Sequence, residues 1–106
     1  MFVGVLRLVL HIPHARSLKE KRSVVRRFGD RIRARFDVSI AEVGAQNLLQ
    51  RAIFGVSVVS SDHKICEAML ERIAHAAQTQ EDAVLTDRST EIVAFGDELY
   101  GDDDAE

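Results

Sequence analysis

The first long segment of the chain, residues 2–12, alternates between two sets of side chains. Successive side chains of an extended strand point to opposite faces. One face therefore carries Leu6, Leu8, Leu10 and Ile12, and the other carries Val3, Val5, Arg7, Val9 and His11. The alternation predicts a strand that buries one face in a core and leaves a partly apolar face on its other side, and Pro13 ends it.

Changes in the spacing of apolar residues along the chain predict the remaining helices and strands. These are a helix over 18–35, strands over 37–43 and 51–60, a helix from about 62, and a last strand within 84–96. Asp37 is expected as a left-handed residue after the first helix, and Ser61 or Asp62 as the cap of the second. The buried stripe of the second helix is predicted to contain Ile65, Met69, Ile73 and Ala76, flanked by Cys66 and Leu70.

The order strand–helix–strand–strand–helix–strand restricts the topology. Because crossover connections are right-handed, it predicts a ferredoxin-like α+β sandwich. The four-stranded antiparallel sheet then has the order 4-1-3-2, with two helices on one face. In that topology the start of the first helix, the loop 44–51 and Arg88 meet at one edge of the sheet.

A chain of 106 residues, 46% hydrophobic and 29% charged, has the composition of a single globular domain. We expect this domain to span residues 1–97, followed by an acidic, flexible tail over 98–106. The single cysteine, Cys66, excludes an internal disulfide. No apolar run has membrane-spanning length, and Arg7 interrupts the N-terminal apolar stretch. A cytoplasmic protein without a membrane partner is therefore expected.

The net charge of −3 conceals an asymmetry between the two parts of the chain. Residues 1–60 contain eleven Lys and Arg against four Asp and Glu, a balance of +7, whereas residues 61–106 have a balance of −10. Such asymmetry is typical of a nucleic-acid-binding side, or of two faces that neutralise each other.

The segment SLKEKR, residues 17–22, begins the first helix with an unusual charge. Ser17 and Glu20 form the S-x-x-E pattern of a capping box. The first turn of a helix carries partial positive charge, so Lys19, Lys21 and Arg22 are locally unfavourable there. We interpret this as a surface that awaits an anion, such as nucleic-acid phosphate.

At about 100° per residue, four cations of this helix fall within one narrow stripe. We call Lys19, Arg22, Arg26 and Arg33 the basic stripe and predict that they contact RNA phosphate. Arg16 and Lys21 are predicted to join them, with Gln46, Asn47 and Arg51 as further contacts at the same edge. The alternative is a solvated face whose cations pair with acidic groups of the chain.

Lys21 also has a structural interpretation. Its angular position points toward the apolar stripe of the helix, so its stem is expected to follow the edge of the core. Glu42, on the inward series of the second strand, is a partner for Lys21 or Arg22. A structural ion pair is the favoured role, because an unpaired charge there would be costly.

The sheet face away from the helices is predicted to be apolar. Val3, Val5, Val9, Ile53 and Val59 lie on it. This favours a homodimer through the sheet or, alternatively, a ligand or RNA face. The third strand resembles the aromatic signature of RNA-recognition motifs, but Ile53 and Gly55 stand where stacking rings are needed and Phe54 points inward.

No constellation of residues predicts catalysis or metal binding. His11 and His14 flank Pro13 without a Cys or carboxylate to complete a site. The run from Ser60 to His63 is too local to converge as a triad. Cys66 is expected to be partly buried and inert. We therefore expect a protein that is not an enzyme and uses no cofactor.

Three spaced segments carry a family resemblance: SLKEKR at 17–22, FDVSIAEV at 36–43 and QRA at 50–52. They resemble the YlxP-like family of small bacterial ferredoxin-like proteins of undefined function. Family members more often carry Asn at the position of Asp37 and an aromatic residue in place of Leu48–Leu49. Their genes commonly lie beside those for translation initiation factor two and ribosome-binding factor A. The resemblance thus implies a role in translation or in maturation of the small ribosomal subunit.

Overall fold

Six regular elements follow one another in the predicted order. They are β1 (Phe2–His11), α1 (Leu18–Arg35), β2 (Ser39–Gly44), β3 (Arg51–Ser60), α2 (His63–Gln78) and β4 (Val84–Ala94). The structure is a computed structural model and describes residues 1–96. The predicted tail, 98–106, and the predicted domain end at residue 97 lie outside the described residues. In the described part of the chain, neither helix is both long and apolar enough to cross a membrane.

The four strands form one antiparallel sheet in the order β2-β3-β1-β4, which confirms the predicted ferredoxin-like topology. β1 lies in the middle and pairs along its whole length with β3, from Phe2 opposite Ser60 to His11 opposite Arg51. The end of β1, the start of α1 and the β2–β3 loop therefore lie at the same edge of the sheet.

The core lies between the sheet and the two helices. Leu6, Leu8 and Leu10 of β1 are fully buried, as their alternation predicts. The rings of Phe28 on α1 and Phe54 on β3 meet edge to face, with centroids 4.8 Å apart. Burial of each such side chain contributes roughly 1.5–3 kcal/mol to the free energy of folding. The contact between these two rings therefore holds α1 against this face of the sheet.

The exit from α1 differs from the prediction. Phe36 follows the helix in an extended conformation, with φ −132° and ψ 142°, and no left-handed residue occurs at Asp37. The extended exit places the Phe36 ring in the core, 5% exposed, with the guanidinium groups of Arg35 and Arg72 over it. Packing of this ring therefore outweighs the preference of Asp for a left-handed turn.

The second helix is capped by Asp62, whose carboxylate accepts the backbone N–H groups of Lys64 and Ile65. Its buried face is rotated from the prediction, because Ile65 is 59% exposed whereas Cys66 is fully buried. Gly4 of β1 explains the rotation: a Cβ there would lie 2.5 Å from Cys66 Sγ. The missing side chain lets α2 approach β1 through Cys66. Burial raises the pKa of that thiol, in accord with an inert cysteine.

Candidate functional site

The start of α1 is fixed by two side chains. Ser17 Oγ accepts the backbone N–H of Glu20 at 3.1 Å, as the capping-box pattern predicts. Glu20 Oε1 reaches back one residue further than usual and accepts the backbone N–H of Arg16 at 2.6 Å. Glu20 is thereby engaged by the backbone of the preceding turn, and its carboxylate does not pair with the neighbouring cations.

Lys21 is buried and belongs to the core edge. Its side chain is 1% exposed, and its Nζ lies 2.9 Å from Glu42 Oε2 and also donates to the carbonyl of Ala45. The structural ion pair is therefore confirmed, with Lys21 and not Arg22 as the partner of Glu42. The inclusion of Lys21 among the phosphate contacts is wrong, because no ligand outside the protein reaches an ammonium group that is this deeply buried.

The β2–β3 loop is tied to the β1–α1 connection. The side-chain amide of Gln50 donates to the carbonyls of Pro13 and Ala15, each at 3.2 Å. The backbone N–H of Ile12 donates to the Gln50 carbonyl at 2.9 Å. The loop and the start of α1 thus form one edge, as the topology predicts. Sequence reasoning named Gln50 only as part of the family segment QRA and missed this role.

Arg88 does not lie at this edge. It stands opposite Leu8 in the β1–β4 register, well inside β4, and its guanidinium lies 3.4 Å from Glu71 of α2. The prediction was wrong because β4 starts at Val84, so that Arg88 lies within the strand and not at its entry.

Three cations of the basic stripe face solvent. Lys19, Arg22 and Arg26 are exposed, and their side chains have no hydrogen-bonding or ionic partner among residues 1–96. We call them the three exposed cations. The side chains of Arg16 and Arg51, at the same edge, are likewise exposed and without a partner in this part of the chain.

Arg33, the fourth member of the basic stripe, is engaged by the protein. Its guanidinium donates to the carbonyl of Ile40 at 2.9 Å and lies 3.3 Å from Asp30. β2 is an edge strand, and the side-chain amide of Gln46 covers a second carbonyl, that of Glu42, at 3.3 Å. Arg33 and Gln46 therefore protect this edge against pairing with another strand.

The arginines on the other flank of α1 are engaged by the loop between α2 and β4. Arg27 pairs with Asp82, and Arg31 donates to Gln80 at 2.7 Å and to Thr79 at 2.9 Å. Burial alone would raise the pKa of the Asp82 carboxyl, but hydrogen bonds from Arg27 and Gln80 outweigh it and lower that pKa from its ordinary value of 3.8. Asp82 thus neutralises Arg27, and neutral side chains hydrogen-bond Arg31, whereas the three exposed cations have no such partner among residues 1–96.

The tip of the β2–β3 loop adds apolar surface beside these cations. Leu48 is 51% and Leu49 37% exposed. Asn47 is exposed at the same tip. Sequence reasoning named Asn47 and Gln46 here but gave the two leucines no role. Both leucines lie in the loop between β2 and β3, which turns through Ala45 at a positive φ of 59°.

The face of the sheet opposite the helices carries a row of valines. Val3 stands in register with Val59 of β3 and Val93 of β4. Val59 is 63% and Val93 42% exposed. The open face is therefore apolar at this end, as the alternation of β1 predicts.

Two further expectations for the open face had different outcomes. Phe54 is 2% exposed and points into the core, so the prediction that β3 offers no ring for base stacking is confirmed. Val9 is 5% exposed and adds no apolar surface. It lies in the middle of the sheet between its register partners Ile53 and Asp87.

The described residues also limit metal chemistry. Within residues 1–96, no three His, Cys, Asp or Glu side chains form a group that could hold a metal ion. His11 is engaged through Nδ1 with the carbonyl of Gln50 at 3.0 Å. The Arg, Lys and Leu side chains exposed at this edge are suited to ionic and apolar binding.

Fold and edge together define a ferredoxin-like α+β domain with exposed cations at the start of its first helix. Residues 3–90 match the family described as "Protein of unknown function (DUF503)", and the chain belongs to that family. It is 46% identical over 59 residues to the uncharacterized protein YlxP of Bacillus subtilis strain 168, which confirms the YlxP-like resemblance. The match covers 56% of this chain and 64% of that protein, so the chain spans less than two thirds of its relative's length.

Two designed proteins are similar in structure. The de novo designed protein Foldit4 has a TM-score of 0.50 at 11% identity, over 89% of this chain and 98% of its own. The de novo designed ferredoxin-fold protein LFR1 1 has a TM-score of 0.48 at 12% identity, over 91% of this chain and 88% of its own. Identities this low concern the fold alone.

Proposed function

We propose that this protein is a non-catalytic factor that binds the phosphate backbone of RNA through Lys19, Arg22 and Arg26 of α1. The observation that carries the proposal is the exposure of these three cations without a partner among residues 1–96, beside a flank whose arginines are already paired. Arg16 and Arg51 extend the positive surface along the same edge. Gln46 and Asn47 are proposed to make polar contacts there.

The spacing of the three exposed cations supports a strand of phosphates as the ligand. They lie at successive turns of α1, so Lys19 and Arg26 are about 10 Å apart along the helix axis. Roughly three phosphates of one nucleic-acid strand fit into that length, at about 3.4 Å per nucleotide. A single small anion would engage one or two of these groups, whereas a polyanion engages all of them.

Two considerations favour RNA and the small ribosomal subunit as the context. The resemblance to the YlxP-like family implies a place near translation initiation or subunit maturation. The apolar residues of β3 on the open face support backbone contact through α1 over base stacking on the sheet. The protein is therefore proposed to associate with RNA or the 30S subunit through phosphate contacts.

The decisive variant reverses the charge of two phosphate-binding side chains. Arg22→Glu/Arg26→Glu changes the charge by four units at exposed positions. We expect the affinity for RNA to fall on the order of 100-fold at low salt, because each of the two phosphates that is no longer bound contributes about 1.4 kcal/mol. Fluorescence anisotropy with labelled RNA measures the affinity, and co-sedimentation with 30S subunits tests the ribosomal context.

The matched control makes the same charge change on α2. Lys64 and Arg72 are exposed cations of that helix. Lys64→Glu/Arg72→Glu reports the effect of net charge, and circular dichroism checks that loss of the Arg72 contact with the Phe36 ring leaves the fold intact. The proposal requires the α1 variant to lose binding well beyond the control. Equal losses, or co-sedimentation that persists in the α1 variant, would contradict it.

A second candidate function is a dimeric ligand-binding or regulatory domain. The row formed by Val59, Val3 and Val93 favours it, because two of these valines are largely exposed on a sheet face. A second copy packed against this row would bury the apolar surface and could form a ligand pocket between the sheets.

The dimer has its own test. Sedimentation equilibrium at tens of micromolar should give twice the monomer mass of 11.8 kDa, and Val59→Lys should return it to the monomer mass. Leu48→Lys adds the same charge away from the sheet face and serves as the control. A monomer mass for the unmodified protein over this concentration range contradicts the dimer.

A further inference from the structure

The β2–β3 loop presents two leucines from a rigid base. The Ala45 carbonyl accepts both the buried Lys21 ammonium group and the backbone N–H of Leu48, the latter at 3.0 Å. Ala45 itself holds a left-handed conformation that a non-glycine residue adopts only under constraint. Lys21 thus connects α1 to the turn that orients Leu48.

The second side of the loop is fixed as firmly. Gln50 donates from its side chain to two carbonyls of the β1–α1 connection and accepts at its own carbonyl from Ile12. The leucines and the three exposed cations therefore belong to one unit, and a ligand that contacts one group meets the other without a loop having to be ordered.

Exposed leucines and exposed cations on one edge fit a particular kind of ligand. Leu48 and Leu49 are half-exposed at the tip, while Lys19, Arg22, Arg16 and Arg51 lie along the same edge. Charge complementarity requires an anionic partner, and the leucines require a place within it where apolar side chains are sheltered from water. Apolar side chains such as leucine enter nucleic acids by wedging between bases at a deformable step.

We infer that Leu48 and Leu49 form a wedge that enters RNA at an unpaired or bulged step while the three exposed cations hold the adjoining phosphates. The inference rests on the proposed function and adds the structural class of RNA that this edge selects. A continuous A-form duplex offers phosphates but no opening for the leucines, and its deep major groove is closed to side chains. A bulge offers both phosphates and an opening for the leucines.

The test compares two RNAs and two variants. The RNAs are a hairpin with a single-nucleotide bulge and the same hairpin fully paired. For Leu48→Ser/Leu49→Ser we expect affinity for the bulged RNA to fall by about tenfold, as the burial of one leucine side chain would give, with little change for the paired RNA. Ile65→Ser removes a comparably exposed apolar side chain near the start of α2, away from this edge, and should alter neither affinity.

The outcomes separate the wedge from phosphate binding. If the leucine variant loses affinity equally for both RNAs, or keeps its affinity for both, the wedge inference is wrong while the proposal of phosphate binding stands. If the unmodified protein binds neither RNA, the proposed function fails and the wedge with it. Binding to anionic phosphatidylglycerol vesicles that the leucine variant loses, with RNA binding unaltered, would assign the leucines to a membrane and overturn the inference.

Discussion

Replacing Lys21 by methionine tests the most unusual structural feature of α1. Methionine keeps an apolar stem of similar length but removes the ammonium group. Glu42, whose side chain is 17% exposed, is then left without its counter-ion, and the Ala45 carbonyl loses a donor. Removing one partner of a buried pair costs about 3–5 kcal/mol, and we expect the lower end because Glu42 retains some contact with water.

Urea unfolding followed by circular dichroism measures this loss directly. Lys19→Met makes the same chemical change two residues earlier at an exposed position and should alter the free energy of unfolding by less than about 0.5 kcal/mol. The double variant Lys21→Met/Glu42→Leu replaces the pair by apolar groups and should recover most of the loss. A Lys21→Met variant as stable as Lys19→Met, or a double variant no more stable than the single one, would refute the reasoning.

Three further predictions concern packing, pH and charge. Gly4→Ala places a Cβ 2.5 Å from a sulfur of α2 and should lower the free energy of unfolding by about 1–3 kcal/mol. At Gly29 the facing atom is a flexible Arg guanidinium at 3.0 Å, so Gly29→Ala should change stability little in thermal unfolding. The pKa of Asp82 is lowered in the folded state, so the stability from its pairing with Arg27 is present above pH 3.8 and is lost as pH falls through the lower folded-state pKa. Asp82→Asn should remove this part of the acid sensitivity, which is measured as the free energy of unfolding against pH. Ending the chain at residue 96 removes six carboxylates and changes the formal net charge from −3 to +3, so RNA affinity at low salt should rise, and an unchanged affinity would contradict long-range repulsion by these groups.

Much of the fold was predictable because its elements depend on local patterns. The alternation of β1 fixes which leucines are buried, and the S-x-x-E pattern fixes the residue at which α1 begins. The burial of Lys21 followed from its angular position on α1, since the residues one turn away on the same face are apolar. These features require no knowledge of distant contacts.

The remaining features depend on tertiary contacts that no local pattern encodes. Arg33 falls in the basic stripe by helical spacing, but its long side chain reaches a carbonyl of the edge strand β2. The rotation that exposes Ile65 is set by the absence of a side chain at Gly4, some sixty residues earlier. The placement of Arg88 depends on where β4 starts, and strand ends are weakly marked in sequence.

The location of the candidate site was predicted from the sequence, but the structure corrects which residues belong to it. The edge where α1 meets the β2–β3 loop follows from topology, and three of the four cations in the basic stripe are exposed without a partner among residues 1–96. Which cations remain without a partner could not be predicted, because Arg27 and Arg31 bind side chains of a loop about fifty residues away. The two leucines at the loop tip lacked any periodic signal.

The salt dependence of RNA binding tests the central claim most directly, since each bound phosphate releases counter-ions. With three phosphates of single-stranded RNA bound, a plot of the logarithm of the association constant against that of the salt concentration should have a slope of about −2. Arg22→Gln/Arg26→Gln should reduce its steepness by about 1.4, at about 0.7 per phosphate. A slope that is equal in the two proteins, or near zero in the unmodified one, would show that these cations do not hold phosphates.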